Sequence, residues 1–109
     1  MNISILLPYK ENYAKKYAGA VSIFINDINK ISKFKKTTRI YGNTNYKKYL
    51  SKNYVNIPFE KNVLQSSSKS YIKNFIKLLK NKKTEIIEIH NRPSYIKSLY
   101  TSFNHCKFV

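Results

Sequence analysis

His90, Asn91 and Arg92 form the densest cluster of chemistry-bearing side chains in the sequence. An imidazole, an amide and a guanidinium together can transfer protons, orient a polar ligand and bind an anion. They follow the β-favouring run 85–89 and precede Pro93, whose fixed φ suits the first residue of a helix. Because ligands bind at the carboxyl ends of strands in open α/β sheets, we expect this cluster to lie at a binding or catalytic site.

A second cluster follows the first apolar run, residues 3–7. Lys10, Glu11 and Asn12 stand in the loop after this run, and the small residues 18–20, centred on Gly19, open the next helix. A turn of small residues leaves backbone N–H groups and the positive end of the helix dipole accessible. The loop is therefore predicted to hold a phosphate or a sugar hydroxyl.

The apolar pattern of the chain predicts the scaffold that positions both clusters. Strands are predicted over residues 3–7, 37–41, 54–59 and 85–89, with the opening of a fifth at 106–109. Helices are predicted from 21 to about 34, from the capping serines 66–68 to 79, and from 93 to 103. This order is typical of the α/β class with a mainly parallel sheet, and the short last strand predicts a sheet that is incomplete at its C-terminal end.

The first predicted helix has a clear apolar face. Val21, Ile25 and Ile28 recur at helical spacing, with Phe24 and Ile31 beside them.

The formal net charge of +16 identifies a class of partner. Lys, Asn, Ile and Tyr account for 56 of the 109 residues, and all four have A/T-rich codons, so part of the basicity reflects genome composition. Only Arg39 and Arg92 are available for the bidentate contacts that favour sequence-specific nucleic-acid binding. We therefore do not expect nucleic acid as the partner, and expect attraction to anionic surfaces such as phospholipid headgroups.

Cysteine usage and hydropathy exclude several classes of protein. Cys106 stands alone, which excludes an internal disulfide and fits a reducing cytoplasm. The adjacent His105 has no further ligand at metal-binding spacing, so no metal site is expected. Residues 1–8 lack the features of a signal peptide, and no apolar run is long enough to span a bilayer.

Three segments together resemble the amino-terminal part of the family 4 glycosyltransferases of the GT-B fold. They are residues 6–13 (Leu-Leu-Pro-Tyr-Lys-Glu-Asn-Tyr), 18–22 (Ala-Gly-Ala-Val-Ser) and 87–93 (Ile-Glu-Ile-His-Asn-Arg-Pro). The resemblance implies that residues 1–109 are part of a Rossmann-like, three-layer acceptor-side domain. In a complete enzyme this domain faces a second domain that binds the nucleotide-sugar. That second domain, with its paired glutamates eight positions apart, is absent, so we expect the chain alone to be inactive.

The resemblance implies transfer of a sugar from a nucleotide-sugar substrate to a cell-envelope glycan or lipid-linked acceptor, with no separate cofactor. His90 matches the histidine that approaches the transferred sugar and is the implied catalytic residue. Gly19 matches the glycine-loop position near the donor phosphates and the acceptor. Donor or acceptor contacts are also expected of Ala20, Lys10, Glu11, Asn12, Asn91 and Arg92. Such an enzyme is expected in the cytoplasm, in peripheral contact with the inner face of the bacterial plasma membrane.

Two other functions remain open on the sequence. One is a small basic nucleic-acid-binding module, which has no need of His90. The other is a non-catalytic subunit that pairs with a separately encoded donor-binding domain through an exposed sheet edge. The residues also have purely structural interpretations, in which His90 caps the following helix and Gly19 allows close packing of helix on sheet.

Overall fold

The computed structural model describes residues 1–58 and 67–109, with an all-parallel sheet of five strands. The strands are β1 (Ile3–Leu6), β2 (Thr38–Gly42), β3 (Tyr54–Asn56), β4 (Ile86–Ile89) and β5 (Lys107–Phe108). The helices are α1 (Ala20–Ile31), α2 (Ser67–Leu79) and α3 (Ser94–Tyr100), and a 3-10 turn, Lys35–Thr37, precedes β2. The predicted α/β class, with a Rossmann-like parallel sheet flanked by helices, is confirmed.

The order of the strands across the sheet is β3-β2-β1-β4-β5, so the chain reverses its direction of travel at β1. From β1 it moves outward through β2 and β3, and then it crosses back to place β4 on the other side of β1. Leu6 is in register with Tyr41 of β2 and with Ile89 of β4. The ends of β1 and β4 therefore form the topological switch point at which α/β folds bind ligands.

Two hydrophobic cores cover the two faces of the sheet. On one face, α1 and the loops around Tyr13 pack over β1, β2 and β3, with Ile5, Leu7, Tyr13, Ile25, Ile40 and Tyr54 buried. On the other face, α2 and α3 pack over β1, β2 and β4, with Leu6, Tyr41, Tyr71, Phe75, Ile87 and Leu99 among the buried side chains. In β1, β2 and β3, adjacent residues enter opposite cores, as expected for strands buried on both sides.

The predicted boundaries are correct to within a few residues for most elements. The first helix ends at Ile31 and does not reach Phe34, because Ser32 leaves the helical conformation with ψ 133°. The third strand ends at Asn56, and the predicted extension to Phe59 passes beyond the described residues. The proposed cap Ser66 also lies outside them.

Most apolar residues of α1 lie outside the core. Ile25 is buried, but Phe24 is 58% exposed, and Ile28 and Ile31 are also exposed. The helix instead buries the polar residues Ser22, Asn26 and Asn29.

Hydrogen bonds explain why α1 buries amides. Asn29 and Asn53 exchange two bonds, at 2.9 and 3.3 Å, and Asn53 also donates to the Thr38 carbonyl at 3.0 Å. The Tyr13 hydroxyl donates to Asn26 Oδ1 at 3.4 Å. These contacts join α1 to the loop before β3, and a buried amide with such partners avoids the cost of desolvation.

Within residues 1–58 and 67–109, no helix combines the length and hydropathy that a membrane crossing requires.

Candidate functional site

The loops that follow β1 and β4 both leave the sheet at the carboxyl end of the strands, since these strands are adjacent and parallel. The β1 loop carries Lys10, Glu11, Asn12 and the turn to Gly19, and the β4 loop carries His90, Asn91 and Arg92. The fold thus brings the two predicted clusters to the carboxyl end of two neighbouring strands.

His90 makes a close contact with Glu88. Its Nε2 lies 2.5 Å from Glu88 Oε2, and the two side chains are 22% and 32% exposed. The alternation of a strand places residues two apart on the same face, so the end of β4 presents the imidazole and the carboxylate together. The carboxylate accepts the Nε2 proton, which leaves Nδ1 to accept a proton or a hydrogen bond from a ligand.

Glu88 had no role in the sequence prediction, although it lies two residues before His90. The signal that identifies it is strand alternation, because β4 places Glu88 on the same face as His90. A histidine oriented by a carboxylate is the arrangement that general bases commonly use.

A cleft of about 380 Å³ adjoins this pair on the α1 side of the sheet. His90 and Glu88 are among its polar lining residues, and Phe24, Ile28 and Val109 are among its apolar walls. Apolar walls with a few polar groups are typical of small-molecule sites. The exposed apolar side chains of α1 therefore border the histidine rather than the core.

The start of α1 already binds a carboxylate of the chain itself. Glu11 Oε2 accepts hydrogen bonds from the Ser22 backbone N–H at 3.0 Å and from the Ser22 hydroxyl at 2.7 Å. Gly19 is the N-cap residue of α1, and a Cβ added there would lie 1.9 Å from Glu11 Oε2. The glycine therefore provides the space in which the Glu11 carboxylate reaches the end of the helix.

This contact changes the interpretation of the β1 loop. The positive end of a helix dipole and its free N–H groups favour an anion, and here Glu11 supplies one. A ligand phosphate at the same N–H of Ser22 would have to displace the Glu11 side chain.

Two residues of the predicted site have left-handed backbone conformations. Lys10 has φ 69° and Asn91 has φ 56°, and each lies shortly after the end of β1 or β4. Asparagine tolerates this region, whereas it is strained for lysine. Strained residues of this kind tend to occur where a loop must present a group in a fixed direction.

The other predicted site residues have mixed environments. Asn12 Oδ1 accepts a bond from the Thr44 hydroxyl at 3.0 Å, and the Asn12 carbonyl accepts one from the Gly19 N–H at 3.2 Å, so this residue braces the loop. The exposed Arg92 donates to the Asn91 carbonyl at 2.7 Å. The Lys10 ammonium lies 5.6 Å from the centre of the Tyr9 ring, and Ala20 is exposed at the first position of α1.

Two tyrosines hold the end of β1, and their roles were missed from the sequence. The Tyr71 hydroxyl of α2 donates to the Leu7 carbonyl at 2.6 Å, and the Tyr9 N–H donates to the Tyr95 hydroxyl of α3 at 3.2 Å. Burial raises the pKa of Tyr71 well above its ordinary value, so it remains a donor. Because α3 directly follows the β4 loop, the Tyr95 bond couples the positions of the two loops.

Comparisons with known protein families, curated proteins and solved structures return no match to this chain. In the part of the chain that the structure describes, no group of three or more His, Cys, Asp or Glu side chains is placed to hold a metal ion. The function must therefore be inferred from the geometry at the carboxyl ends of β1 and β4.

Proposed function

We propose that this domain is the acceptor-side part of a glycosyltransferase, which transfers a sugar from a nucleotide-sugar to a cell-envelope glycan or lipid-linked acceptor. The observation that carries the proposal is the His90–Glu88 pair, with its 2.5 Å contact, at the switch point of a Rossmann-like sheet. A separate nucleotide-sugar-binding domain is required, either in the same polypeptide or in a partner chain.

The pair suits a role in recognising a sugar at the reacting centre. With Nε2 held by Glu88, His90 Nδ1 can accept the proton of a sugar hydroxyl, and the neighbouring apolar cleft limits competing water. Lys10 and Arg92 are exposed at the ends of the two loops, where their positive charge favours a departing diphosphate.

The decisive experiment replaces the native gene in its own cell with variant genes and compares the envelope glycans of the resulting strains by mass spectrometry. We expect His90→Ala to remove the same sugar residue as deletion of the gene, because no other described side chain supplies an imidazole in the cleft. The matched control is His105→Ala, since this exposed histidine contacts the Phe103 ring and lies outside the cleft. An unchanged glycan profile in the His90→Ala strain, with normal protein abundance, would refute a catalytic role for His90.

The apolar face of α1 favours a second candidate, a non-catalytic subunit that binds a separate donor domain. Phe24 and Ile28 are exposed beside the cleft, and exposed apolar side chains of this size commonly mark interfaces. The same glycan assay separates the two candidates. In a non-catalytic subunit, Phe24→Ser combined with Ile28→Ser abolishes the modification, whereas His90→Ala leaves it intact.

The proposed peripheral contact with an anionic membrane is supported by α2. Lys73, Lys77 and Lys80 are exposed along one side of this helix, beside Ile72 and Ile76. Lysines near an anionic bilayer each contribute about 1 kcal/mol. We expect co-sedimentation with vesicles that contain phosphatidylglycerol but not with phosphatidylcholine alone.

Two triple variants, each with three lysines changed to glutamine, test whether α2 makes this contact. Replacing Lys73, Lys77 and Lys80 should weaken vesicle binding more than replacing the exposed Lys15, Lys47 and Lys48, which removes the same charge elsewhere. Equal losses would show that net charge alone, and not α2, governs binding.

A further inference from the structure

A polar pocket lies near the amino-terminal ends of β1 and β2, where these strands begin. It is formed where residues 82–83, after α2, approach the start of β1 and of β2, and it has a volume of about 260 Å³. We call it the basal pocket. The side chains that matter for its chemistry are Ser4, Lys36, Arg39, Tyr41, Lys82 and Lys83.

The basal pocket gathers four cationic side chains and no acidic one among its lining residues. Like charges in so small a volume repel one another, and this repulsion is relieved when a compact anion binds between them. Three lysines and an arginine supply donors but no acceptors, so the ligand that fits must present several acceptor oxygens.

The Tyr41 hydroxyl provides an independent indication of a ligand. Tyr41 is only 1% exposed, and its hydroxyl has no hydrogen-bond partner among the residues that the structure describes. Buried hydroxyls are normally paired, because an unpaired one forfeits its bonds to water. The neighbouring Ser4 hydroxyl is already bonded to Thr84 Oγ1 at 2.9 Å.

The phenol end of Tyr41 faces the cationic wall of the pocket. Tyr41, Ser4 and Arg39 line the same pocket. Burial raises the pKa of Tyr41, and the Arg39 charge lowers it by less, so the hydroxyl stays protonated at neutral pH. The ring is fixed by an edge-to-face contact with Phe75, with centroids 5.2 Å apart. A protonated hydroxyl with a fixed position is thus available to donate into the pocket.

We propose that the basal pocket binds the phosphate group of a small ligand, with the Tyr41 hydroxyl donating to one phosphate oxygen and Arg39, Lys82 and Lys83 balancing the charge. A phosphate group is favoured over a carboxylate because it combines up to two negative charges with three or more acceptor oxygens in a compact shape. The site is distinct from the His90 cleft, since the cleft lies on the face of the sheet that α1 covers, whereas Ser4, Arg39 and Tyr41 of the basal pocket lie on the face that α2 covers.

The test is calorimetric titration of the whole chain with inorganic phosphate and, separately, with glycerol 3-phosphate, at constant ionic strength. Tighter binding of the ester identifies a phosphorylated metabolite, and tighter binding of the inorganic ion identifies free phosphate. We expect Tyr41→Phe to weaken binding about fivefold to tenfold, as for loss of one hydrogen bond, and Arg39→Gln to weaken it more than tenfold.

Matched variants separate a built site from general attraction to a basic protein. Lys82→Gln with Lys83→Gln should weaken binding, whereas Lys47→Gln with Lys48→Gln, an exposed adjacent pair on another loop, should not. Without phosphate, Tyr41→Phe should leave the melting temperature unchanged or raise it, because it removes an unpaired buried hydroxyl. Equal losses for both lysine pairs, no binding of either ligand, or a lower melting temperature for Tyr41→Phe would overturn the proposal.

Discussion

Substituting Gly19 by alanine tests the contact that defines the start of α1. The three atoms nearest to the added Cβ all belong to the Glu11 side chain, at 1.9, 2.6 and 2.9 Å. Separations this short require the carboxylate to move away. We therefore expect Gly19→Ala to break both hydrogen bonds between Glu11 and Ser22.

The size of the effect follows from these bonds. Hydrogen bonds to a charged group contribute about 1.5–3 kcal/mol, and the Ser22 hydroxyl that loses its acceptor is fully buried. The backbone of Gly19 itself is not strained, with φ −74°, so alanine fits the local conformation. The entropy that alanine removes from the unfolded chain offsets about 0.4–1 kcal/mol. Because the half-buried Glu11 carboxylate regains bonds to water when it moves, the net loss corresponds to about one of the two bonds, and a net cost of about 2 kcal/mol remains.

Urea and thermal unfolding followed by circular dichroism would measure this loss. A domain of this length loses about 4 °C in melting temperature per kcal/mol, so the expected fall is about 8 °C. The control is the same substitution in a Glu11→Ala background, where the conflict is absent. There, Gly19→Ala should change stability by less than about 0.5 kcal/mol, because the entropic gain and the weaker N-cap preference of alanine nearly cancel.

The two backgrounds form a double-mutant cycle with an expected coupling of about 2 kcal/mol between residues 11 and 19. An equal loss in both backgrounds would mean that Gly19 is needed for some contact other than Glu11. No loss in the native background would mean that the carboxylate does not occupy the start of α1 in solution.

Three further outcomes are expected from unfolding measurements. Tyr71→Phe should cost about 1–3 kcal/mol, because it leaves the Leu7 carbonyl unpaired in the core. Phe75→Ala should cost about 3–5 kcal/mol since Phe75 is fully buried, whereas Phe24→Ala on the exposed face of α1 should cost less than about 1 kcal/mol. Stability should fall as the pH rises above about 9, first because burial raises the pKa of the Cys106 thiol above its ordinary value of 9.0, and more steeply above pH 10, where tyrosines ionise. The unfolded chain then releases protons that the folded chain retains, at up to about 1.4 kcal/mol per pH unit for each buried tyrosine with a raised pKa, namely Tyr13, Tyr41, Tyr54 and Tyr71. A urea midpoint that stays constant to pH 11 would contradict this.

The order and direction of the elements could be predicted because each depends on local signals. The apolar β-favouring residues of 3–7 and of 86–89 indicate strands, and the breaks at Pro8 and Pro93 are visible in the sequence. The packing face of α1 could not be predicted from periodicity. Whether Asn29 or Ile28 is buried depends on Asn53, a partner 24 residues away that supplies the matching amide. Hydrophobic spacing carries no information about that partner.

The chemistry of the candidate site likewise depends on partner residues that the sequence pattern does not reveal. The sequence placed His90 correctly at the end of a strand, but its chemistry depends on Glu88, and this pairing becomes visible only when the alternation of β4 is known. At the β1 loop, the helix start that predicted an anion site does bind an anion, and that anion is Glu11. A glycine beside a helix start therefore indicates space for a negative group without indicating whether the group is a ligand or a side chain. The two hydrogen bonds from Ser22 to Glu11 Oε2 distinguish them here, because they show that a side chain of the protein occupies the helix start. The His90–Glu88 pair is therefore a stronger basis for a catalytic proposal than the β1 loop.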